Sequence, residues 1–312
     1  MVENLNRLSE EEEADRLGVF HILGILENVL AFNPEISKTL IKQTKTLSWT
    51  LNRIQNPVQD DNRGYAAEVL SILLQSDREN RLVYGKDDGV EISLKVLSVS
   101  HPQRFFVSHL LNGDQQFRRK DPAEGEEAEF MENVFDALCS ALAEPENKKL
   151  FLDSEGVDLM VLMMKCVLVE ILPPSRLTWG CREKKLARSR AIKALDYAMS
   201  GPSGSTACET FVDALGLKSL FTTFMGKASK KNKGTDVLAT EETSHTLSIV
   251  SSLFTNLSSE SPARVRLLAK FVENNYEKVD KVLEIRESAQ RRLTDTDAEI
   301  EREKKVATPC DP

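Results

Sequence analysis

Histidine and cysteine are the residue types that most often act as bases, nucleophiles or metal ligands, so they are the first candidates for chemistry. The chain contains His21, His101, His109 and His245, and Cys139, Cys166, Cys181, Cys208 and Cys310. No histidine belongs to an H-E-x-x-H or nucleophile motif, and no two cysteines form C-x-x-C. The sequence therefore predicts no catalytic residue, no metal and no cofactor, and we do not expect an enzyme.

Trp49 and Asn52 are candidates for binding a peptide, because the segment KTLSWTLNRI places them on one predicted helix. A tryptophan ring can stack on a Lys or Arg stem while a nearby asparagine bonds the peptide backbone. The spacing is W-x-x-N, whereas nuclear-import adaptors use W-x-x-x-N, and it occurs once. Alternatively, Trp49 packs between helices, as large aromatic residues usually do.

Acidic residues dominate the first half of the chain. Residues 1–160 contain 29 Asp and Glu against 17 Lys and Arg. Asp87, Asp88 and Glu91 lie at the start of a predicted helix equivalent to the one that carries Trp49. We expect these three carboxylates to attract Lys/Arg-rich peptides, with an affinity that falls as salt screens the charges.

Basic residues cluster later, where residues 182–233 contain 11 Lys and Arg against 4 Asp and Glu. This stretch is either a solvated surface that aids solubility or a contact for RNA or an acidic protein. The candidate basic patch consists of Lys184, Lys185, Arg188, Arg190, Lys193, Lys230 and Lys231.

Composition limits the class of protein. The 312 residues have a net charge of −8, which argues against coating of nucleic acid or anionic membranes. The longest apolar stretch, residues 159–172, contains Lys165 and Glu170 and is shorter than the roughly 20 residues of a membrane span. We therefore expect a soluble intracellular protein with reduced cysteines and no membrane contact.

A repeated apolar pattern organises the chain. An apolar-x-x-apolar-apolar triplet recurs five times, and each copy precedes a polar turn and a second amphipathic helix. Gly89, Gly156 and Gly216 then introduce a third helix in several copies, and we expect them to be left-handed helix stops. Three helices in about 42–44 residues is typical of armadillo and HEAT repeats. The triplets are Leu26/Val29/Leu30, Leu70/Leu73/Leu74, Leu138/Ala141/Leu142, Leu195/Ala198/Met199 and Leu253/Leu257.

The predicted fold class is therefore all-α, an armadillo/HEAT-type right-handed superhelical solenoid over residues 1–284. Three spacings between triplets are too long, which predicts insertions at residues 101–124, 166–180 and 226–242. We expect the first two to be dispensable for the fold, although their apolar residues could promote self-association. Residues 285–312 are predicted to form a charged helix with a frayed tail.

Several of these segments together resemble the beta-catenin-like protein 1 family, nuclear armadillo proteins associated with spliceosomes. The similar segments cover most of residues 10–284, and the resemblance is to a fungal member lacking both ends. They are ADRLGVFHILGILENVLAFNPE, YAAEVLSILLQSDRENR, FMENVFDALCSALAEPENKKLFLDSEGVDLMVLMM, REKKLARSRAIKALDYAMSGP, FVDALGLKSLFTTFM and FVENNYEKVDKVLE.

The resemblance implies a nuclear, non-enzymatic scaffold in pre-mRNA splicing. Its expected partners are the basic localisation segments of splicing factors and the Nineteen Complex. The alternative is a cytosolic adaptor of the transport or membrane-associated type, and the residues alone do not separate the two.

Overall fold

The computed structural model describes residues 2–58, 60–98, 121–122, 125–165, 185–226 and 235–307. Within these ranges the chain forms fourteen α-helices and two short 3₁₀ helices, Val2–Asn6 and Pro202–Gly204, and no strand. The α-helices are α1 Glu13–Phe32, α2 Ile36–Gln43, α3 Thr46–Gln55, α4 Asp61–Ser76, α5 Arg78–Lys86, α6 Gly89–Ser98, α7 Gly125–Ala141, α8 Pro145–Asp153, α9 Gly156–Met164, α10 Lys185–Met199, α11 Ser205–Asp213, α12 Gly216–Phe224, α13 Thr235–Asn256 and α14 Pro262–Ala307.

The helices stack in repeats of three, so α1–α3, α4–α6, α7–α9 and α10–α12 form repeats 1 to 4, and α13 begins repeat 5. The first helices α1, α4, α7, α10 and α13 contact one another in sequence order, and so do the third helices α3, α6, α9 and α12. Such stacking buries the apolar face that each repeat leaves open. The predicted all-α solenoid of armadillo-type repeats is confirmed.

The apolar triplets form the core along the first helices. All their predicted members are buried except Val29, which is 37% exposed. Their i, i+3, i+4 spacing places them on one helix face, and stacking then covers this face. One continuous cluster of buried residues runs through all five repeats.

The third helices of repeats 2, 3 and 4 begin with glycine, because an aromatic ring lies directly against the backbone there. An added Cβ would lie 2.3 Å from the Tyr84 ring at Gly89, 2.5 Å from the Phe151 ring at Gly156 and 2.4 Å from the Phe211 ring at Gly216. The sequence pattern is therefore an aromatic residue followed five positions later by glycine.

The expectation that these glycines are left-handed stops is wrong. The left-handed residue is the one just before each glycine, with φ of 58° at Asp88, 57° at Glu155 and 62° at Leu215. The glycine is needed for close packing against the ring, and not for its own backbone conformation.

In the fifth repeat, the second helix, the turn and the third helix all lie within α14. Residues 273–276 have non-helical backbone angles and divide α14 into two helical parts. Phe271 precedes this break as Tyr84, Phe151 and Phe211 precede theirs, and Tyr276 occupies the place of the glycine. The two parts of α14 are thus the second and third helices of repeat 5.

The predicted segment boundaries need adjustment. The range 166–180 lies outside the described residues, and only Asp121 and Pro122 of 101–124 lie within them. Helix α13 begins at Thr235, so residues 235–242 are helical and not part of a loop. After its break at residues 273–276, helix α14 continues past residue 284 to Ala307, and residues 308–312 of the predicted C-terminal segment 285–312 lie outside the described part.

Candidate peptide-binding surfaces

Trp49 lies on α3, where it is partly buried and packs against the core. Its register in the third helix is that of Ile92 and Leu159, which are also partly buried. Asn52 is exposed, but its equivalents are Lys95 and Leu162, so the third helices form no ladder of asparagines. The position of Trp49 favours packing between helices over a peptide clamp.

Asp87, Asp88 and Glu91 are exposed at the turn from α5 to α6. Glu91 forms an ion pair of 2.6 Å with Lys95, and Lys86 lies next to Asp87 in the chain. Nearby lysines therefore offset part of the negative charge expected at this turn.

Several carboxylates that have no ion pair within the described part of the chain lie where the first helices of repeats 1 to 3 meet. A groove of about 350 Å³ opens where α1, α4 and α7 meet. A second pocket, of about 400 Å³, shares Phe20, Asp60, Asp61 and Glu126 with it. We call the first the acidic groove; it is lined by Phe20, Asp60, Asp61, Gly64, Tyr65, Glu68, Glu126, Glu129, Phe130 and Asn133.

Among the described residues, four carboxylates of the acidic groove have no cationic partner, namely Asp61, Glu68, Glu126 and Glu129. The fifth, Asp60, lies 2.5 Å from the guanidinium of Arg53. Burial raises the pKa of Glu68, and the charges of Glu27 and Glu129 raise it further. Unpaired carboxylates that repel one another attract cations, so the groove is suited to Lys and Arg side chains.

Aromatic rings form the apolar part of the acidic groove. The rings of Phe20 and Tyr65 meet edge to face at 5.1 Å. The guanidinium of Arg63 lies 3.9 Å from the centre of the Phe130 ring, and burial together with the charge of Arg53 lowers the pKa of Arg63 to about 10. Phe130 is fully buried beneath Arg63, so the partly buried rings of Phe20 and Tyr65 are the aromatic faces that can hold the stem and the charge of a Lys or Arg residue.

Sequence reasoning missed this groove, although the sequence contains a signal for it. Consecutive acidic residues lie at or just before the start of the first helix in repeats 1, 2 and 3. They are residues 10–13, 60–61 and 126–127. Because consecutive first helices stack in parallel, their acidic starts come together. The signal becomes visible only once the repeat boundaries are aligned.

The described members of the basic patch form ion pairs between first helices. Arg190 lies 2.7 Å from Glu132 of α7 and 3.3 Å from Glu241 of α13, and Lys193 lies 2.8 Å from Asp136. The side chains of Arg190 and Lys193 are each less than a quarter exposed.

The other members add no free cluster to this network. Arg188 pairs with Glu242 at 3.4 Å and Lys185 is partly buried, whereas Lys184, Lys230 and Lys231 lie outside the described residues. The ion pairs of Arg188, Arg190 and Lys193 hold repeats 3, 4 and 5 together, and a contact of this patch with RNA or an acidic protein stays a prediction.

Within the described part, His245 pairs with a neighbouring helix, His21 is exposed, and both cysteines are buried. His245 Nδ1 lies 2.8 Å from Asp196 on the neighbouring helix, and His21 contacts the Phe20 ring. Cys139 and Cys208 are buried, and burial raises their thiol pKa values to about 12 and about 11. Such thiols are protonated at neutral pH and unreactive.

The described residues contain no group of three or more His, Cys, Asp or Glu side chains placed to hold a metal ion. In the same ranges, no helix is both long and apolar enough to span a membrane.

The stacked three-helix repeats define an armadillo-type solenoid, and the acidic groove is its candidate binding surface. The chain belongs to the catenin-beta-like family, described as Arm-motif containing nuclear proteins, whose family profile matches residues 1–310. The resemblance inferred from the sequence segments is thereby confirmed.

Individual relatives agree with this assignment. The chain is 40% identical over 307 residues to beta-catenin-like protein 1 of Rattus norvegicus and of Homo sapiens, covering 97% of the chain and 47% of each relative. It is 32% identical over 283 residues to the beta-catenin-like protein 1 homolog of Schizosaccharomyces pombe, covering 90% of the chain and 42% of the relative. The chain thus spans about half the length of these relatives.

Solved structures support the fold alone. Two crystal structures of engineered proteins align with TM-scores of 0.51 and 0.53, at 15% and 16% sequence identity. The first alignment covers 90% of this chain and 92% of the engineered one, and the second covers 81% and 47%.

Proposed function

We propose that this protein is a non-enzymatic scaffold that binds Lys/Arg-rich segments of other proteins in the acidic groove. The observation that carries the proposal is the set of four carboxylates, unpaired among the described residues, beside the partly buried aromatic rings of Phe20 and Tyr65. The proposed site lies on the first helices, whereas the site predicted from the sequence consisted of Trp49, Asn52, Asp87, Asp88 and Glu91.

Each contact with a bound peptide should contribute little binding free energy, and these contributions should add up along a basic segment. An exposed ion pair contributes roughly 0.2–1 kcal/mol, so several are needed for a specific complex. Stacking of a cation on an aromatic face adds about 0.5–1 kcal/mol at an exposed site. Binding should therefore weaken steeply with ionic strength, because exposed charges are screened over about 8 Å at physiological salt.

Family membership supports the biological context of this proposal. The family is described as nuclear, and its named members are catenin-like proteins and not enzymes. We place the protein in the nucleus as a scaffold in pre-mRNA splicing, where the Nineteen Complex and splicing factors with basic localisation segments are its proposed partners.

Binding of a fluorescein-labelled Lys/Arg-rich peptide, measured by fluorescence anisotropy at low and physiological salt, tests the groove. The variant combining Glu68→Gln, Glu126→Gln and Glu129→Gln should bind the peptide at least tenfold more weakly than the parent. The matched control removes three charges at the predicted turn, in the variant combining Asp87→Asn, Asp88→Asn and Glu91→Gln. This control should bind like the parent.

The outcomes separate the two sites. Loss of binding in the turn variant alone would place the site at α5–α6 and overturn the groove assignment. A parent that binds no basic peptide at low salt would overturn the function itself. The splicing context is tested by affinity purification and mass spectrometry, in which the parent should recover splicing factors with basic segments and the groove variant should lose them.

A further inference from the structure

Tyr65 occupies a position on α4 that suits a stacked cation. Its ring lines the acidic groove and is partly buried. Asp61 lies four residues before Tyr65 and Glu68 lies three residues after it, so the three side chains share one face of the helix. A cation that rests on the Tyr65 ring therefore has a carboxylate about one helical turn away on each side.

The opposite wall of the acidic groove also carries negative charge. It is formed by α7, which packs directly against α4 and contributes the exposed residues Glu126 and Glu129. These two residues are three positions apart, so they lie on the same face of α7. A side chain that lies on Tyr65 is thus flanked by carboxylates from two helices.

The rings of Tyr65 and Phe20 are nearly perpendicular, with 84° between their planes and 5.1 Å between their centres. Two perpendicular rings leave a corner in which a flat group can lie on one ring while its edge touches the other. Phe20 also contacts the His21 ring, at 5.7 Å. We therefore assign the stacking position to Tyr65.

The chain contains such an arrangement within itself. The guanidinium of Arg63 lies 3.9 Å from the centre of the Phe130 ring. In the same position, Nε and Nη2 of Arg63 donate hydrogen bonds of 3.1 Å and 3.0 Å to the carbonyl oxygen of Ile54. One arginine thus uses an aromatic ring against its face and an oxygen acceptor at its edge at the same time.

A lysine in the same molecule is held differently. Lys278 Nζ is 5.9 Å from the centre of the Phe221 ring, and it lies 3.2 Å from Glu277 and 3.8 Å from Glu273. An ammonium is a compact point charge, whereas a guanidinium is planar and can stack on a ring while it donates hydrogen bonds sideways. An aromatic ring flanked by carboxylates is therefore better suited to arginine than to lysine.

We infer that the acidic groove selects arginine over lysine, and that Tyr65 determines this selectivity by stacking on the guanidinium while the surrounding carboxylates accept hydrogen bonds from its edge. The inference rests on the proposed function, because it names the basic residue that the groove prefers. The ligand is an arginine-rich segment of another protein, and a lysine-rich segment binds more weakly because charge is its main contact.

Two fluorescein-labelled peptides of equal length and charge test this selectivity, one with arginine and the other with lysine at every basic position. In fluorescence anisotropy at low salt, the parent should bind the arginine peptide about fivefold more tightly. Tyr65→Leu should bind the two peptides with similar affinity, because most of the loss falls on the arginine peptide. Tyr65→Phe keeps an aromatic ring and should keep the preference.

Tyr197→Leu is the matched control. Tyr197 is 38% exposed on α10 and is not among the residues that line the acidic groove, so this variant should prefer the arginine peptide as the parent does. Circular dichroism checks that each variant is folded.

The outcomes separate this inference from the proposed function. Equal binding of the two peptides by the parent would overturn the selectivity and leave the proposed function standing. A folded Tyr65→Leu variant that still prefers arginine would overturn the role of Tyr65. A parent that binds neither peptide would overturn the proposed function, and this inference with it.

Discussion

Phe151 and Gly156 are in direct contact at the turn between the second and third helices of repeat 3. A Cβ on Gly156 would lie 2.5 Å from the ring and 2.7 Å from the carbonyl oxygen of Phe151. Both distances are far below any contact that a methyl group tolerates. The same relationship in repeats 2 and 4 shows that this close approach is part of how each repeat is built.

The substitution Gly156→Ala should lower the free energy of unfolding by about 1–3 kcal/mol, because the ring and the backbone must move to admit the methyl group. Urea denaturation measures the change. Gly64→Ala is the matched control, since nothing lies within 4 Å of an added Cβ at this position in the first turn of α4. It should stabilise the protein by up to about 1 kcal/mol through helix propensity, and equal effects of the two substitutions would contradict the packing role.

Removal of the Asp121 carboxylate should destabilise repeat 4. Asp121 accepts hydrogen bonds of 2.8 Å from the backbone N–H groups of Leu186 and Ala187 at the start of α10. Loss of such a cap costs about 0.5–2 kcal/mol. The melting temperature of Asp121→Ala should therefore fall, and that of Asp280→Ala, at an exposed residue on α14, should not.

Asp121 also lies within the range predicted to be dispensable. Its contact shows that the end of residues 101–124 helps to hold α10. Deletion of the whole range should consequently destabilise the protein even if the preceding residues contribute nothing. A deletion variant as stable as the parent would restore the original expectation.

Truncation of Arg190 should affect stability and not anion binding. Arg190→Ala leaves Glu132 and Glu241 without their shared cation in a partly buried position, which should cost about 1–3 kcal/mol. The exposed Arg286, replaced by alanine, is the control and should leave stability unchanged. If Arg190→Ala instead weakened RNA binding in a filter assay at unchanged stability, the basic patch would be an RNA site after all.

The stability of the protein should depend on pH through Glu68. Burial and the charges of Glu27 and Glu129 raise its pKa above the ordinary value of 4.5. A carboxyl group whose pKa is raised on folding favours the folded state when protonated, and this contribution is lost as pH rises through the folded-state pKa. Glu68→Gln should therefore melt at a higher temperature than the parent at pH 7 and at the same temperature well below pH 4.5.

Glu79→Gln provides a control of opposite sign. Hydrogen bonds from Lys42 and Lys38 lower the pKa of Glu79, so its charge favours the folded state at neutral pH. This variant should melt below the parent at pH 7, and the difference should disappear as pH falls through the lowered pKa. If both variants shifted the melting temperature in the same direction at pH 7, the electrostatic explanation would be wrong.

The sequence alone determined the repeat architecture. Leu70, Leu73 and Leu74 show the periodicity of a buried helix face, and a helix buries such a face in any context that covers it. The third helices were also located correctly from Gly89, Gly156 and Gly216. The role of these glycines was not predicted correctly, because only the structure could place the Tyr84, Phe151 and Phe211 rings that require them.

The tertiary structure decided which charges remain available for binding. Arg190 and Glu132 are 58 residues apart in the chain, and Glu68 and Glu129 are 61 apart, so no local pattern relates them. Stacking of α7, α10 and α13 pairs the basic residues with carboxylates, whereas stacking of α1, α4 and α7 gathers carboxylates, four of which have no ion pair among the described residues. The hydrophobic period sets each helix face locally, but the register between stacked helices sets which charges meet.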